Sequence, residues 1–310
     1  MSLGEKISVC LLTFNHANVI RSTLESVLLQ SIDGYEVVVS DDCSTDGTWE
    51  IILEFSRRDS RIVPIRTPRN LGMAGNANFV FKQVSRQYVA LLHHDDLYRN
   101  DLLEKWAAVM QQYPDVAFVF NPYSVSGSDF VYEEALPGGH IDGHEFLDKY
   151  LLPRWGCPVR GTAMIRRAAW ASVGGMREEF ALLADVDLWM RLSMSWGVGY
   201  VPEPLIAVRA ERPIYYPDIY KGEVWDWTRQ RILYEIHASN RLNYLNSRTL
   251  LGKLQWFFFR ARLSAETLKW LGYAVLKGKP AIIRSAADAQ TKHDMFFLVA
   301  VRNVLQRVYG

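Results

Sequence analysis

The chain predicts an α/β fold: a doubly wound, mainly parallel sheet flanked by helices, with a helical appendage behind it. Three observations carry this. Short apolar runs alternate with amphipathic segments from the N-terminus to about residue 120, the pattern of strands joined by helical crossovers. The residues directly after the apolar runs are unusually polar, as they are at the ligand-binding edge of an open parallel sheet. Beyond Pro213 the alternation gives way to Trp-, Phe- and Tyr-rich helical stretches with interleaved Lys and Arg, so residues 1–212 and 213–310 read as two regions.

The elements follow in order. Residues 7–12 form a buried strand, and residues 19–29 place Val19, Ile20, Leu24, Val27 and Leu28 on one helix face. Residues 35–39 are the second strand. The loop 40–47, rich in Asp, Ser and Thr, suits the cap of a helix starting near Thr48 that turns Ile51, Ile52 and Phe55 inward. Strand 62–65, helix 76–84, strand 88–92, helix 101–113 and strand 116–120 continue the alternation. Signals weaken over 124–158, where Gly and Pro scatter among acids and aromatics, as in loops that carry function. Residues 161–173 and 185–196 read as helical or partly so, and 199–208 as a strand, broken by Pro202 and Pro204, that completes the sheet. The aromatic, basic helices of the last region suit either a membrane interface or packing on protein.

At 310 residues, 49% hydrophobic and 22% charged, the composition is that of a globular protein with a substantial core. A net charge of +1 offers no field to gather a polyanion, which argues against bulk nucleic-acid binding. Cys10, Cys43 and Cys157 are odd in number and lack Cys-x-x-Cys spacing, against both a disulfide framework and a structural zinc site. The opening MSLGEKISVC has no basic leader followed by an apolar run, and no uninterrupted apolar stretch reaches the roughly 18 residues of a spanning helix. The expectation is a cytoplasmic protein, soluble or peripheral at the inner membrane face.

Three polar clusters end predicted strands: Thr13-Phe14-Asn15, Ser40-Asp41-Asp42 and His93-His94-Asp95-Asp96. Paired carboxylates at the end of a buried strand are costly unless a cation or hydrogen-bond donors compensate them, so a hard divalent ion is expected at Asp95 and Asp96. Helix capping suits Asp101 better. Asp42 stays open between an Asx-turn and a reader of a pyrimidine imide proton, while Asp46 and Thr48 suit the cap. No Gly-x-Gly-x-x-Gly, no P-loop and no Gly-x-Ser-x-Gly occurs, which leaves phosphate binding to a metal and removes the serine-hydrolase elbow.

TFNHANVI, VVVSDDCSTDGT, NLGMAGNANF, YVALLHHDDLYRNDLL and DVDLWMRL, in this order, resemble the motifs of glycosyltransferase family 2, with its GT-A fold, over roughly residues 6–210. The resemblance implies a nucleotide pocket lined by Thr13, Phe14 and Asn15, with Asp42 on the base, usually uracil. It implies a loop from Asn70 to Asn78 beneath the donor, with His94 on the nucleotide side. His93-His94-Asp95 falls on the family's Asp-x-Asp motif, which makes Asp95 the ligand of Mn²⁺ or Mg²⁺, with Asp96 beside it and His93 in place of the first acid. Asp185 falls on the catalytic base of an inverting transfer, against the alternative that Asp185 or Asp187 caps its helix. Gly161 and Thr162 match the turn beneath the acceptor. Trp155 and Trp189 are candidate sugar-stacking surfaces, Trp189 being better suited to the core.

Cys43 replaces a usual Gly, Ala77 a common Arg and Ala184 a Glu, and Glu211 stands near where a His often follows Arg209. The implied partners are a nucleotide-sugar donor, a UDP-sugar first, and a glycan, polysaccharide or lipid-linked acceptor. His93 and Ala77 also motivate a catalytically weak binding or scaffold protein of the same fold. A sugar-phosphate nucleotidyltransferase would need a Gly-rich triphosphate loop near the first strand, which TFNHANVI does not offer.

Overall fold

The computed structural model describes residues 2–152, 157–209, 222–244, 250–280, 282–283 and 295–309. The chain divides into two compact units, Met1–Pro213 and Ile214–Gly310.

In the first unit, β1 (Ile7–Thr13), β2 (Glu36–Asp41), β3 (Ile62–Arg66) and β4 (Tyr88–His93) pair in parallel in the order β3-β2-β1-β4. The crossovers are α1 (Ile20–Leu28), α2 (Thr48–Arg58) and α3 (Gly72–Gln83). Every residue of β1 is buried, as a strand covered on both faces must be. On α1 the inward face is Ile20, Thr23, Leu24 and Val27. Asp46 accepts the Thr48 backbone N–H (3.1 Å) and hydroxyl (2.5 Å) just before α2 as an Asx turn, while the N-cap position itself is Gly47.

Beyond β5 (Asp96–Tyr98) come α4 (Leu102–Gln112) and β6 (Val116–Phe120). Asp101 precedes α4 but makes no capping hydrogen bond; its carboxylate takes the Arg99 guanidinium (Nε at 2.7 Å) and Lys105 (3.3 Å) instead. The loop-like stretch up to residue 158 contains β7 (Tyr123–Val125), β8 (Val131–Tyr132), β9 (Gly139–Ile141) and a short α5 (Gly143–Phe146).

Two expectations are corrected. Residues 161–173 are helical only over α6 (Arg167–Ser172); Ala163–Arg166 is a strand, β10, inserted antiparallel between β4 and β6. All four of its residues are buried, so it shows no alternation, and a short apolar run of this kind is ambiguous between strand and helix. Residues 199–208 do not form one strand. β11 (Gly197–Tyr200) joins the main sheet between β6 and β9, whereas β12 (Ile206–Val208) leaves it after Pro202 and Pro204 to pair with β5 and β7 in a second sheet, β5-β12-β7-β8. The main sheet thus runs β3-β2-β1-β4-β10-β6-β11-β9. Its last flanking helix, α7 (Ala184–Ser193), buries Trp189 against Phe118, with ring centroids 4.6 Å apart.

In the second unit the described helices are α8 (Gly222–Tyr244), α9 (Leu250–Leu276) and α10 (Phe296–Tyr309). Leu271, Ala274, Ile282, Ile283 and Leu298 form a small core there. Among the described residues no helix is long and apolar enough to cross a membrane.

Candidate active site

The register of the main sheet brings the polar clusters together. Thr13 pairs with Asp41, and Leu12 with His93, so β1, β2 and β4 end on one rim. β10 runs the other way and pairs Ala163 with Leu91; its entry, Gly161 and Thr162, therefore lies beside the exit of β4. Opposed strand directions deliver the second half of the site to the edge where the first half ends.

The two acids after β2 differ in role. Asp41 is fully buried; it accepts from the Ser44 N–H (3.2 Å) and pairs with Arg66 (3.0 Å) through Oδ2, and burial pushes its carboxyl up. Asp42 turns toward the loop after β3. Its Oδ1 takes the Thr67 hydroxyl and the Leu71 N–H, and its Oδ2 the Gly72 N–H, each at 2.8 Å. A carboxylate has about four acceptor sites, so Oδ2 keeps capacity for one more donor. Thr13 Oγ1 and Asp41 Oδ1 are buried with no hydrogen-bond partner among the described residues.

Asn15, in left-handed conformation (φ 53°), fastens the turn after β1 to the next loop: its N–H donates to Ser44 Oγ and its side chain accepts the Thr45 N–H, both at 2.8 Å. Phe14 is half-buried beside it, and its carbonyl meets His16 Nδ1 at 2.5 Å. Asn70 is exposed and accepts the Gly72 N–H at 3.0 Å. Asn78 faces elsewhere: its amide donates to the Met176 carbonyl (2.9 Å) and to Glu178 (3.1 Å) and accepts the Met176 N–H (3.0 Å). It ties α3 to the 176–178 turn, whereas Leu71 and Gly72 are the loop residues that meet Asp42.

At the end of β4, His94 Nδ1 meets the Leu12 carbonyl at 2.8 Å, and the His94 and His16 rings lie 3.5 Å apart. Burial, reinforced by His94, pushes His16 down to about 4, and burial also lowers His94. Burial works to raise Asp95, but His94, His93, Arg160 and His16 around it hold its carboxyl below the usual range. Asp96 is completely buried and forms an ion pair with Arg160, whose guanidinium also lies 5.3 Å from the Tyr123 ring centroid. Two sets of side chains here can hold a cation, His16-His94-Asp95 and His93-Asp95-Asp96, with ligand atoms within 4.8 Å of one another in each. The donors, carboxylate oxygen and imidazole nitrogen, fit a divalent ion.

Gly161 is buried at φ +88°, and the space where a side chain would start is bounded by Asp185 Oδ2 at 3.0 Å and His93 Nε2 at 3.1 Å. Asp185 sits in the first turn of α7, and burial pushes its carboxyl up to about 6. Asp187, one turn face away, pairs with Arg191 (2.7 Å) and Arg177 (3.3 Å), and Arg191 also holds the Val173 and Gly175 carbonyls. It is a structural ion pair, and neither acid makes a capping hydrogen bond from the N-cap position, which is Leu183. Thr162 is buried next to Gly161, and Trp155 lies outside the described residues. His16 and Arg160 also stand at this rim, outside the site residues that the motifs mark. His16 carries a signal, an imidazole three residues past β1, whereas Arg160 has none beyond its place before Gly161.

A mainly parallel sheet whose carboxyl rim gathers acids and imidazoles, joined there by an antiparallel strand and an acid from a later helix, defines the GT-A class of glycosyltransferases. The model of Glycosyl transferase family 2 matches residues 8–174, more than half of the chain. The chain belongs to this family and is a glycosyltransferase. It is similar to the putative glycosyltransferase EpsE of Bacillus subtilis, 27% identical over 252 residues, covering 78% of this chain and 84% of that protein. It also resembles the UDP-Glc:alpha-D-GlcNAc-diphosphoundecaprenol beta-1,3-glucosyltransferase WfaP of Escherichia coli, 32% identical over 127 residues. That match covers 41% of this chain and spans about half (49%) of the relative's length. In fold it is similar to S. aureus TarS 1-349 crystallised with UDP-GlcNAc, with a TM-score of 0.67 at 18% identity, over 97% of this chain and 86% of that one.

Proposed function

We propose that the chain transfers a sugar from a UDP-sugar to a hydroxyl of a lipid-linked or other glycan acceptor, with inversion at the anomeric carbon. The observation that carries this reading is the convergence at Gly161, where the Asp185 carboxylate and the end of β4 face the same point. Asp42 accepts the uracil imide proton through the remaining capacity of Oδ2, and Thr13 offers a hydroxyl that is otherwise orphaned. Asp95 would hold a divalent ion, Mn²⁺ or Mg²⁺, which when bound would supply positive charge to the diphosphate. Asp185 accepts the proton of the acceptor hydroxyl as that oxygen bonds to the anomeric carbon. The carbon–oxygen bond to the diphosphate breaks on the opposite face, and its electron pair leaves with the diphosphate oxygen. The UDP-GlcNAc complex of TarS and the UDP-glucose specificity in the name of WfaP support the uridine donor, and the diphosphoundecaprenol in that name supports a lipid-linked acceptor.

A lipid-linked acceptor calls for contact with a membrane surface, and the second unit is suited to it. Residues 214–310 carry 15 Lys and Arg against seven Asp and Glu, an excess that favours anionic lipid.

UDP release from UDP-sugars, measured with and without acceptor, tests the reading. Asp185→Asn is expected to lower kcat by about 10²-fold or more while donor affinity stays within about twofold. An Asp185→Asn variant with wild-type turnover would remove Asp185 as the base.

A further inference from the structure

The two possible cation sites at the end of β4 share Asp95 but are chemically unequal. On one side stand His93 and Asp96. The Asp96 carboxylate already has its cation in Arg160, so a divalent ion bound there sits against a guanidinium. On the other side stand His16 and His94, from the turn after β1 and the end of β4.

Both rings are oriented by the main chain through the same atom. His94 Nδ1 is 2.8 Å from the Leu12 carbonyl and His16 Nδ1 is 2.5 Å from the Phe14 carbonyl. A ring that donates its Nδ1–H to a carbonyl carries its lone pair on Nε2, and a backbone carbonyl on the far nitrogen is the outer support that metal-binding histidines use. The ring centroids are 3.5 Å apart with planes inclined by 44°, and Asp95 brings a carboxylate within 4.8 Å of both ligand atoms. An arrangement of two imidazoles and one carboxylate suits a first-row transition ion; Mg²⁺ prefers oxygen ligands throughout and gives up water reluctantly.

We propose that the cation at Asp95 is held on the His16–His94 side, by two imidazoles and one carboxylate, and that this chain therefore selects a transition-metal ion over Mg²⁺. The proposal rests on the glycosyltransferase reading for the presence of a cation at Asp95, and adds which side chains hold it and which ions they favour.

The test is Mn²⁺ binding to the full chain without nucleotide, followed by electron paramagnetic resonance, with Mg²⁺, Co²⁺ and Zn²⁺ as competitors. Bound Mn²⁺ should show the nitrogen couplings of histidine in the pulsed spectrum of the wild-type chain, a readout that needs no variant. Mg²⁺ should displace it only at about a hundredfold higher concentration than Zn²⁺. His16→Ala and His94→Ala should each weaken Mn²⁺ by about tenfold or more, whereas Asp96→Asn should change it by less than about threefold. Absent nitrogen couplings, or Mn²⁺ affinity that follows Asp96 and ignores both histidines, overturns the proposal. UDP-sugar turnover of the wild-type chain, recorded in parallel, separates the two failures. Turnover with histidine-independent metal binding defeats this inference alone, and no turnover with any donor and acceptor defeats the reading beneath it.

Discussion

Asp185 and Cys43 show how single residues carry cost and use at this rim. A general base works best with its pKa near the operating pH, and burial moves Asp185 that way, up to about 6. As the proposed base, Asp185 acts in its deprotonated form, so kcat/KM is expected to rise as pH increases through about 6 and level off above. Asp185→Asn should abolish that limb; a pH profile identical in both proteins would point to another group. Cys43 stands where the family resemblance implies a Gly, and its backbone suits one: φ is 63°, in the left-handed region that a side chain disfavours by about 1–2 kcal/mol. Thermal unfolding of Cys43→Gly should show a stability equal to wild type or up to about 1 kcal/mol higher, the gain being reduced by glycine's freedom in the unfolded chain. Cys43→Val, β-branched in the same conformation, should lose about 2 kcal/mol. A destabilised glycine variant would mean that the Sγ contact to the Thr67 carbonyl at 3.1 Å outweighs the backbone cost.

Among the elements, β10 organises the site, and it is also the one the sequence conceals. Strands β1 to β3 are legible because each is followed by a polar turn and a helix, so period and punctuation agree. β10 has four buried residues, runs directly into α6, and pairs with strands distant in sequence, none of which leaves a local mark. The legible half of the site follows the same division. Asp42 and Asp95 are found at strand ends, where chemistry in parallel sheets is sought, while Arg160's pairing with Asp96 depends on the hidden strand. A motif carries no information on which way an amide points, and the Asn78 amide points to Met176. Since β10 presents Gly161 to both His93 and Asp185, Gly161→Ala should cost about 1–2 kcal/mol from its positive φ alone. It should also lower kcat beyond what stability explains, because the new methyl meets the Asp185 carboxylate at 3.0 Å and His93 at 3.1 Å. A variant that is less stable but fully active would show the space over Gly161 to be outside the reaction path.

At the scale of the whole molecule, charge is divided between the two units although the total is near zero. Residues 1–213 hold 20 Lys and Arg against 27 Asp and Glu, the reverse of the excess in 214–310. The net +1 that disfavours polyanions is thus an average over two opposite regions. On α9, Leu250, Leu251, Leu254, Phe257 and Phe258 recur at helical spacing and are each 45–75% exposed. Lys253, Arg262 and Lys269 are exposed on the same helix. An apolar stripe of this kind with basic neighbours suits the interface of an anionic bilayer, where buried Leu and Phe area and roughly 1 kcal/mol per basic residue near the surface would hold it. The full chain is therefore expected to sediment with vesicles containing phosphatidylglycerol and much less with pure phosphatidylcholine, and added salt should weaken the difference. Replacing Phe257 and Phe258 together by Ser should reduce vesicle binding by about tenfold or more. UDP-sugar turnover with a water-soluble acceptor should persist, since the change lies in the second unit. If the double variant instead splits a dimer seen by light scattering and vesicles never bind, the stripe is a contact between copies of the chain, and the acceptor must be reached without a membrane surface.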